Sequence, residues 1–215
     1  MLRTCVRTSK YSLAVCGLLV LVNGTRAQTN DAPANSALRQ ELLSRVKSDQ
    51  AVREELIKKG IEQPDPTILA RMRAIDSDNT ARMKAIVRQY GWPGPELVGQ
   101  DGTEAAFLLI QHAVDVDPAF QKEMLPLVQE AYRTHKLPGG NYALLLDRVR
   151  VGEGKPQVYG TQAKPIEKWK GKEPALYPIE DEANVDKRRA EVGLQPLADY
   201  VKLLKHVYFP NDKDN

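Results

Sequence analysis

Apolar residues recur at helical spacing between residues 66 and 90, and this is the strongest pattern in the chain. The stripe steps by three or four residues through Ile68, Met72, Ile75, Asn79, Met83, Ile86 and Tyr90. This spacing predicts an amphipathic helix. Asn79 lies within the stripe, and a buried amide without hydrogen-bond partners costs about 1–3 kcal/mol. Asn79 is therefore predicted either to bridge two helices or to line a polar pocket.

The next helical pattern begins at Asp101 and carries polar residues on its apolar face. Leu108, His112 and Asp115 fall on one stripe of this predicted helix, and Gln111 flanks it. Polar side chains therefore crowd the C-terminal end of an otherwise apolar helix. This arrangement predicts that they meet other polar groups between packed helices.

A break and a further helix are predicted at Asp117-Pro118. Asp117 has the side chain of an N-cap, and proline is favoured at the first helical position. Phe120 and Met124 begin the apolar face of this helix, and Gln121 borders it. Additional helices are predicted over residues 180–192, from 196 onward, and from an N-cap at Ser36 to an end at Gly60, the last of these with a possible division near residues 47–50.

A different pattern occupies residues 147–162. Alternating β-branched residues flank a glycine-containing turn, which predicts a small antiparallel β-hairpin from residues 147–151 and 157–162. The expected fold class is thus mainly α (α+β): a helical domain with a small antiparallel β-hairpin.

The first 27 residues have the composition of a secretory signal peptide. A basic start precedes an apolar run over residues 11–22, which is short for a membrane span, and small residues precede a cleavage site after Ala27. An uncleaved anchor helix is the alternative. We expect export to the periplasm or medium, a disordered leader over 28–35, a single mainly helical domain over 36–210 and a polar tail over 211–215.

Removal of the predicted signal would change the charge and the cysteine chemistry. The chain has 31 Lys and Arg against 28 Asp and Glu, and four of the basic residues precede residue 28, so the mature chain carries a net charge of −1. This balance gives no basis for nucleic-acid or membrane binding. Both cysteines, Cys5 and Cys16, also lie in the signal, which excludes a disulfide or thiolate site in the mature protein.

Familiar catalytic and phosphate-binding signatures are absent from the sequence. His112 is the candidate general base, with Asp115 one turn later as the group that orients it. We predict no metal and no cofactor. The remaining polar residues are candidates for binding a small polar ligand or a peptide, because amides suit neutral polar groups. These candidates are Asp76, Asn79, Trp92, Gln111, Gln121, Asp147, Arg148, Gln157, Tyr159, Thr161 and Gln162.

Several of these candidates have a structural alternative. Trp92 is interpreted either as a plug over the helix ends or as an aromatic wall of a pocket. Asp147 and Arg148 either face a ligand or form an internal ion pair that fixes the hairpin to the helices.

A combination of short motifs resembles one known family. The motifs are Ile75-Asp76-x-x-Asn79-Thr80, Gly91-Trp92-Pro93, Gln111-His112-Ala113-x-Asp115-x-Asp117-Pro118-x-Phe120-Gln121, Asp147-Arg148-Val149, Tyr159-Gly160-Thr161-Gln162 and Val185-Asp186-x-Arg188-Arg189. Together they are similar to the bacterial domain-of-unknown-function family 6624, over roughly residues 68–200. The resemblance implies a bacterial source and no established activity. In that family an acid follows the position of Ala113, where this chain has Val114.

Three functional hypotheses follow from these residues. The first is a non-catalytic binding or interaction module with a polar pocket between helices. The second is a hydrolase or transferase that uses His112 as general base. The third is a buried polar network that only fixes the register of the helices.

Overall fold

The computed structural model describes residues 32–61 and 63–209, which form seven α-helices. The helices are α1 (Ser36–Lys59), α2 (Pro66–Tyr90), α3 (Pro95–Gln111), α4 (Pro118–Arg133), α5 (Gly139–Gly152), α6 (Val185–Glu191) and α7 (Leu197–Tyr208). A 3-10 turn, His112–Asp115, connects α3 to the segment before α4. The predicted signal peptide, the first part of the predicted leader and the polar tail lie outside the described residues.

Side-chain caps define where the long helices begin. Asn35 accepts a hydrogen bond from the backbone N–H of Leu38 at 2.9 Å and caps α1, so the N-cap lies one residue before the predicted Ser36. Asp117 accepts from the N–H of Phe120 at 3.0 Å and caps α4. These bonds satisfy N–H groups that have no partner within the helix. Helix α1 is continuous, and the possible division near residues 47–50 is not observed.

The main apolar core lies where α1 to α5 meet. Its buried members include Leu42, Met83, Ile86, Leu109, Ile110, Phe120, Val128 and Leu145. Burying one such side chain stabilises the fold by about 1.5–3 kcal/mol. A smaller apolar cluster of Val52, Leu56, Ile61 and Ile68 lies at the other end of α1 and contacts the C-terminal helix through Tyr208.

Helix α3 starts earlier than the sequence predicts and bends at Gly99. Gly99 has φ of +73°, which interrupts the helix, and just after this bend the side chain of Asp101 accepts from the N–H of Gly102 at 2.8 Å. Glycine favours this conformation because it has no Cβ. The predicted start at Asp101 therefore lies just after this bend, in the second of two helical segments, and a short segment from Pro95 precedes it.

The predicted β-hairpin is wrong, because residues 147–151 belong to α5 and the described residues form no β-sheet. The β-branched alternation of Val149 and Val151 lies at the end of a helix whose buried positions Leu145 and Arg148 are spaced by three. Residues 157–162 form an irregular loop with an isolated bridge from Gln157 to Ile179. The fold of the described residues is helical, with long irregular segments between α5 and α6.

None of the helices in residues 32–61 and 63–209 combines the length and apolar character needed to cross a lipid bilayer.

Candidate functional site

Four buried polar side chains meet between α1, α2 and the 3-10 turn, and we call them the polar cluster. They are Asp49 and Arg53 on α1, Asp76 on α2 and His112 on the turn. Arg53 donates through Nη1 to Asp49 Oδ1 at 2.7 Å and through Nη2 to Asp76 Oδ1 at 2.8 Å. His112 Nδ1 lies 2.9 Å from both carboxylate oxygens of Asp49. One guanidinium thus compensates two buried carboxylates.

Burial dominates the ionisation of this cluster. Burial raises the pKa of Asp76 to about 6, against the opposing charge and hydrogen bond of Arg53. Burial also lowers the pKa of His112 to about 4, and the hydrogen bond with Asp49 opposes this shift. For Asp49, burial favours the neutral acid, but His112 and Arg53 outweigh it and the pKa is lowered. The ring is therefore neutral and Asp49 anionic at pH 7.

The tautomer of His112 follows from these contacts. Asp49 accepts from Arg53 and from the side-chain amide of Gln50 at 2.8 Å, so its carboxylate is an acceptor and Nδ1 of His112 carries the hydrogen. Nε2 then holds a lone pair, and this buried atom has no hydrogen-bond partner among the described residues. The imidazole is 3% exposed. The ring contacts Asp49 rather than Asp115, which is exposed.

The polar cluster also contains a grouping that a metal ion could in principle contact. One ligand atom each of Asp49, Asp76 and His112 lies within 4.8 Å of the others. However, the guanidinium of Arg53 already contacts both carboxylates. A cation between them would be repelled by this charge unless Arg53 moved away.

Asn79 lies one turn after Asp76 on α2 and is buried, as its place in the apolar stripe predicts. Its carbonyl oxygen accepts from Arg45 Nη1 at 3.0 Å, which links α2 to α1. Its amide nitrogen is buried without a hydrogen-bond partner among the described residues. The contacts of Asn79 thus connect the two helices that also carry the polar cluster.

A second group of polar residues closes the C-terminal end of α3. Gln121 on α4 donates to the backbone carbonyls of Ile110 at 2.9 Å and Gln111 at 2.8 Å. Arg148 on α5 donates to the same Gln111 carbonyl at 3.3 Å. With its amide oxygen turned toward Arg148, Gln111 also accepts from Nε at 3.0 Å. These bonds satisfy carbonyls that a helix end leaves unpaired and fix the plane of the guanidinium.

Asp147, the neighbour of Arg148, folds the loop that follows α5. It is fully buried and accepts backbone N–H bonds from Val158 at 2.6 Å, Tyr159 at 3.1 Å and Thr161 at 3.0 Å. The hydroxyl of Thr161 donates to it at 2.9 Å. Burial raises the pKa of Asp147, and the backbone donors oppose this shift. We call residues 157–164 the anchored loop, because this carboxylate holds its first half.

Gln157 holds the second half of the anchored loop. Its amide oxygen accepts from the backbone N–H of Gln162 at 2.8 Å, and its amide nitrogen donates to the carbonyls of Gln162 at 3.1 Å and Tyr177 at 2.9 Å. Gly160 has φ of +69°, and a Cβ there would lie 2.8 Å from side-chain atoms of Ile179 and Leu197. Asp147, Gln157 and Thr161 therefore act as internal supports of the loop.

The anchored loop forms part of the wall of a cavity of about 350 Å³, at the lower end of the range of small-molecule sites. Helix α5, α7, the segment before α4 and residues 166–177 complete it. The lining residues are Ile61, Val114, Pro118, Arg148, Val151, Gly152, Gln162, Ala163, Lys164, Ile166, Trp169, Tyr177, Leu204 and Tyr208. Arg148 is 5% exposed and Gln162 7% exposed, so the polar part of the wall is largely desolvated.

The structure thus separates residues that the sequence places in one predicted pocket. Arg148 and Gln162 line the cavity, whereas Asp76, Asn79 and His112 lie in or beside the polar cluster. Trp92 packs against the main core. Tyr159 is half-buried, donates its N–H to Asp147, and accepts from Arg189 Nη1 at 2.7 Å through its carbonyl. Burial raises the pKa of the Tyr159 hydroxyl to about 12.

Sequence reasoning missed Asp49 and Arg53, the two α1 members of the polar cluster. Both lie on the apolar stripe of α1. From Leu42 this stripe steps seven residues to Asp49, three to Val52 and four to Leu56, and Arg53 lies beside Val52. An acid and a base four residues apart on an apolar stripe predict a buried ion pair. The predicted division of the helix near residues 47–50 separated Asp49 from Arg53 and so obscured this spacing.

Comparison with known proteins identifies a family but no characterised relative. Residues 36–212 match the model of a family described as "Family of unknown function (DUF6624)". No curated protein and no solved structure matches the chain.

Proposed function

Because the chain belongs to the DUF6624 family, whose function is unknown, we propose from the geometry that it is a binding module that holds a small molecule in the cavity between α5, α7 and the anchored loop. The observation that carries this proposal is the cavity itself, which combines a mostly apolar wall with a few oriented polar groups. Small-molecule sites have this composition.

The support for this proposal lies in how the cavity wall is built. Asp147 and Gln157 hold the anchored loop by accepting hydrogen bonds from its backbone N–H groups, and Trp169 is fixed through Nε1 to the carbonyl of Lys164 at 2.8 Å. Gln111 orients Arg148. A preorganised site loses less conformational entropy when it binds.

The alternative of a hydrolase or transferase that uses His112 stays a prediction. The Asp49–His112 pair has the tautomer that a general base requires, with a lone pair on Nε2. A base must nevertheless reach within about 3 Å of its substrate. The imidazole is buried and does not line the cavity, so the geometry favours binding. Export likewise stays a prediction, since residues 1–31 lie outside the described part of the chain.

Gly152 offers a test of the binding site. It lines the cavity at the end of α5, and a Cβ at this position meets nothing within 4 Å. Gly152 is exposed, so a leucine there should add bulk at the rim of the cavity without a backbone clash. Ala81, an exposed residue on α2, gives the matched control.

The experiment is a thermal-shift screen of small molecules on the purified protein, followed by calorimetric titration. A ligand present at 100 times its Kd should stabilise the protein by about 2.7 kcal/mol, or several degrees in Tm. We expect Gly152→Leu to weaken every true hit at least tenfold, while Ala81→Leu leaves affinity unchanged. A screen without hits, or hits that bind Gly152→Leu normally, would overturn the proposal.

A further inference from the structure

The charged side chains that line the cavity have one sign. Arg148 and Lys164 are basic, and the lining set contains no Asp or Glu. In the described part of the chain, the ammonium of Lys164 makes no ion pair. A low-dielectric wall around two cations strengthens their attraction for an anion.

Arg148 is a fixed cation in the cavity wall. Gln111 holds its guanidinium by bonds from Nε at 3.0 Å and Nη2 at 3.3 Å to the side-chain oxygen and from Nη1 at 3.3 Å to the backbone carbonyl, so its plane is fixed before any ligand arrives. A guanidinium stays charged in proteins, so an anion in the cavity meets a permanent positive charge. The side chain of Gln162, which donates to Thr161 Oγ1 at 2.9 Å, lies on the same lining surface.

Other parts of the wall are aromatic and aliphatic. Trp169 and Tyr208 pack edge to face with ring centroids 5.1 Å apart, and Ile166 and Leu204 also line the cavity. These side chains offer apolar contact and no charge. The lining therefore suits a molecule with an apolar body and one anionic group.

We propose that the cavity binds a small organic acid whose carboxylate contacts Arg148 and Lys164 and whose apolar body packs against Trp169 and Tyr208. This inference rests on the proposed function, because it names the chemical class that the same cavity takes. Asp115 opposes the binding of an anion. This exposed carboxylate lies close enough to Arg148 for their charges to interact, so it weakens the attraction of Arg148 for a second anion.

The test compares acids with uncharged analogues of the same shape. The probes are 3-phenylpropanoate and octanoate, their primary amides, and 3-phenylpropylamine, each titrated calorimetrically at pH 7. We expect both acids to bind at least tenfold more tightly than their amides, since a hydrogen bond to a charged group contributes more than a neutral one, and the amine not to bind.

Three variants locate the charge effect. Lys164→Gln should weaken the acids about three- to tenfold and leave the amides unchanged. The Lys164 ammonium makes no hydrogen bond to the described residues, so the fold should persist. Asp115→Asn should strengthen the acids and leave the amides unchanged. Arg148→Lys keeps the charge but loses the bonds to Gln111 that fix its position, so it should weaken the acids at least tenfold.

The outcomes separate this inference from the proposed function. If the amides bind as tightly as the acids, and Gly152→Leu abolishes both, the cavity binds small molecules but does not select anions. If neutral screening hits bind and neither acid does, the preference for organic acids is overturned while the proposed binding function stands. If no compound depends on Gly152, the proposed function itself fails.

Discussion

The polar cluster and the anchored loop bury their carboxylates by different means. Asp49 and Asp76 are compensated by the guanidinium of Arg53 and joined to the ring of His112, all side chains of regular elements. Asp147 is compensated mainly by backbone N–H groups of a loop without regular structure. The first arrangement fixes how α1, α2 and the 3-10 turn sit against one another. The second gives a defined shape to a segment that helical packing does not determine.

Replacing Arg53 by Met should produce the largest effect, because it leaves Asp49 and Asp76 buried without their cation. We expect a loss of about 3–5 kcal/mol in the free energy of unfolding, measured by urea denaturation. Arg39→Met is the matched control, since its partner Asp101 lies at the surface and exposed pairs contribute little. Equal losses in the two variants would contradict a charge-compensating role for Arg53.

Asp147→Asn tests the anchored loop and should have a smaller effect. Asparagine replaces one carboxylate oxygen by an NH2 group, which cannot accept a hydrogen bond. Backbone N–H groups such as that of Thr161, which donate to the carboxylate in the wild-type protein, would lose their acceptor at a cost of about 1–3 kcal/mol. The exposed Asp199→Asn on α7 serves as control. Ligand affinity at the cavity should fall in Asp147→Asn and persist in Arg53→Met under conditions where both variants are folded. Unchanged affinity in Asp147→Asn would show that the carboxylate does not shape the cavity.

The smallest effect concerns the pH dependence of the polar cluster. The folded pKa of Asp76 is raised to about 6, so its contribution to stability is present below its ordinary pKa and is lost as pH rises through 6. The folded pKa of His112 is lowered to about 4, so its contribution is present above its ordinary pKa and is lost as pH falls toward 4. The two slopes oppose each other and should nearly cancel between pH 4 and 6.5.

Single variants should separate these slopes. Relative to the wild-type protein, His112→Gln should lose stability as pH rises from 4 to 6, and Asp76→Asn should lose it as pH falls from 6.5 to 4. Each change should be on the order of 1–2 kcal/mol, read from urea titrations at several pH values. The difference from wild type cancels the titration of other buried carboxyls such as Asp147. Slopes of the same sign in both variants would refute the assignment.

Sequence patterns predict the helices well where side-chain spacing decides the structure. The stripe that contains Asn79 predicts both α2 and the burial of that amide, and the Asp117-Pro118 pair predicts the start of α4. The β-hairpin prediction failed because Asp147 captures the backbone donors of the loop, and no local periodicity reports a contact with residues eleven or more positions away. The partner of His112 could not be found from local spacing either, since Asp49 lies 63 residues earlier.

The two tryptophans of the chain occupy different surroundings, and this gives the protein an intrinsic optical reporter. Trp169 lies in the cavity wall beside Tyr208, whereas Trp92 packs on the main core. In a Trp92→Phe protein the indole emission would come from the cavity alone. Occupancy could then be followed in dilute solution without any label, as a change in the colour and intensity of that single emitter.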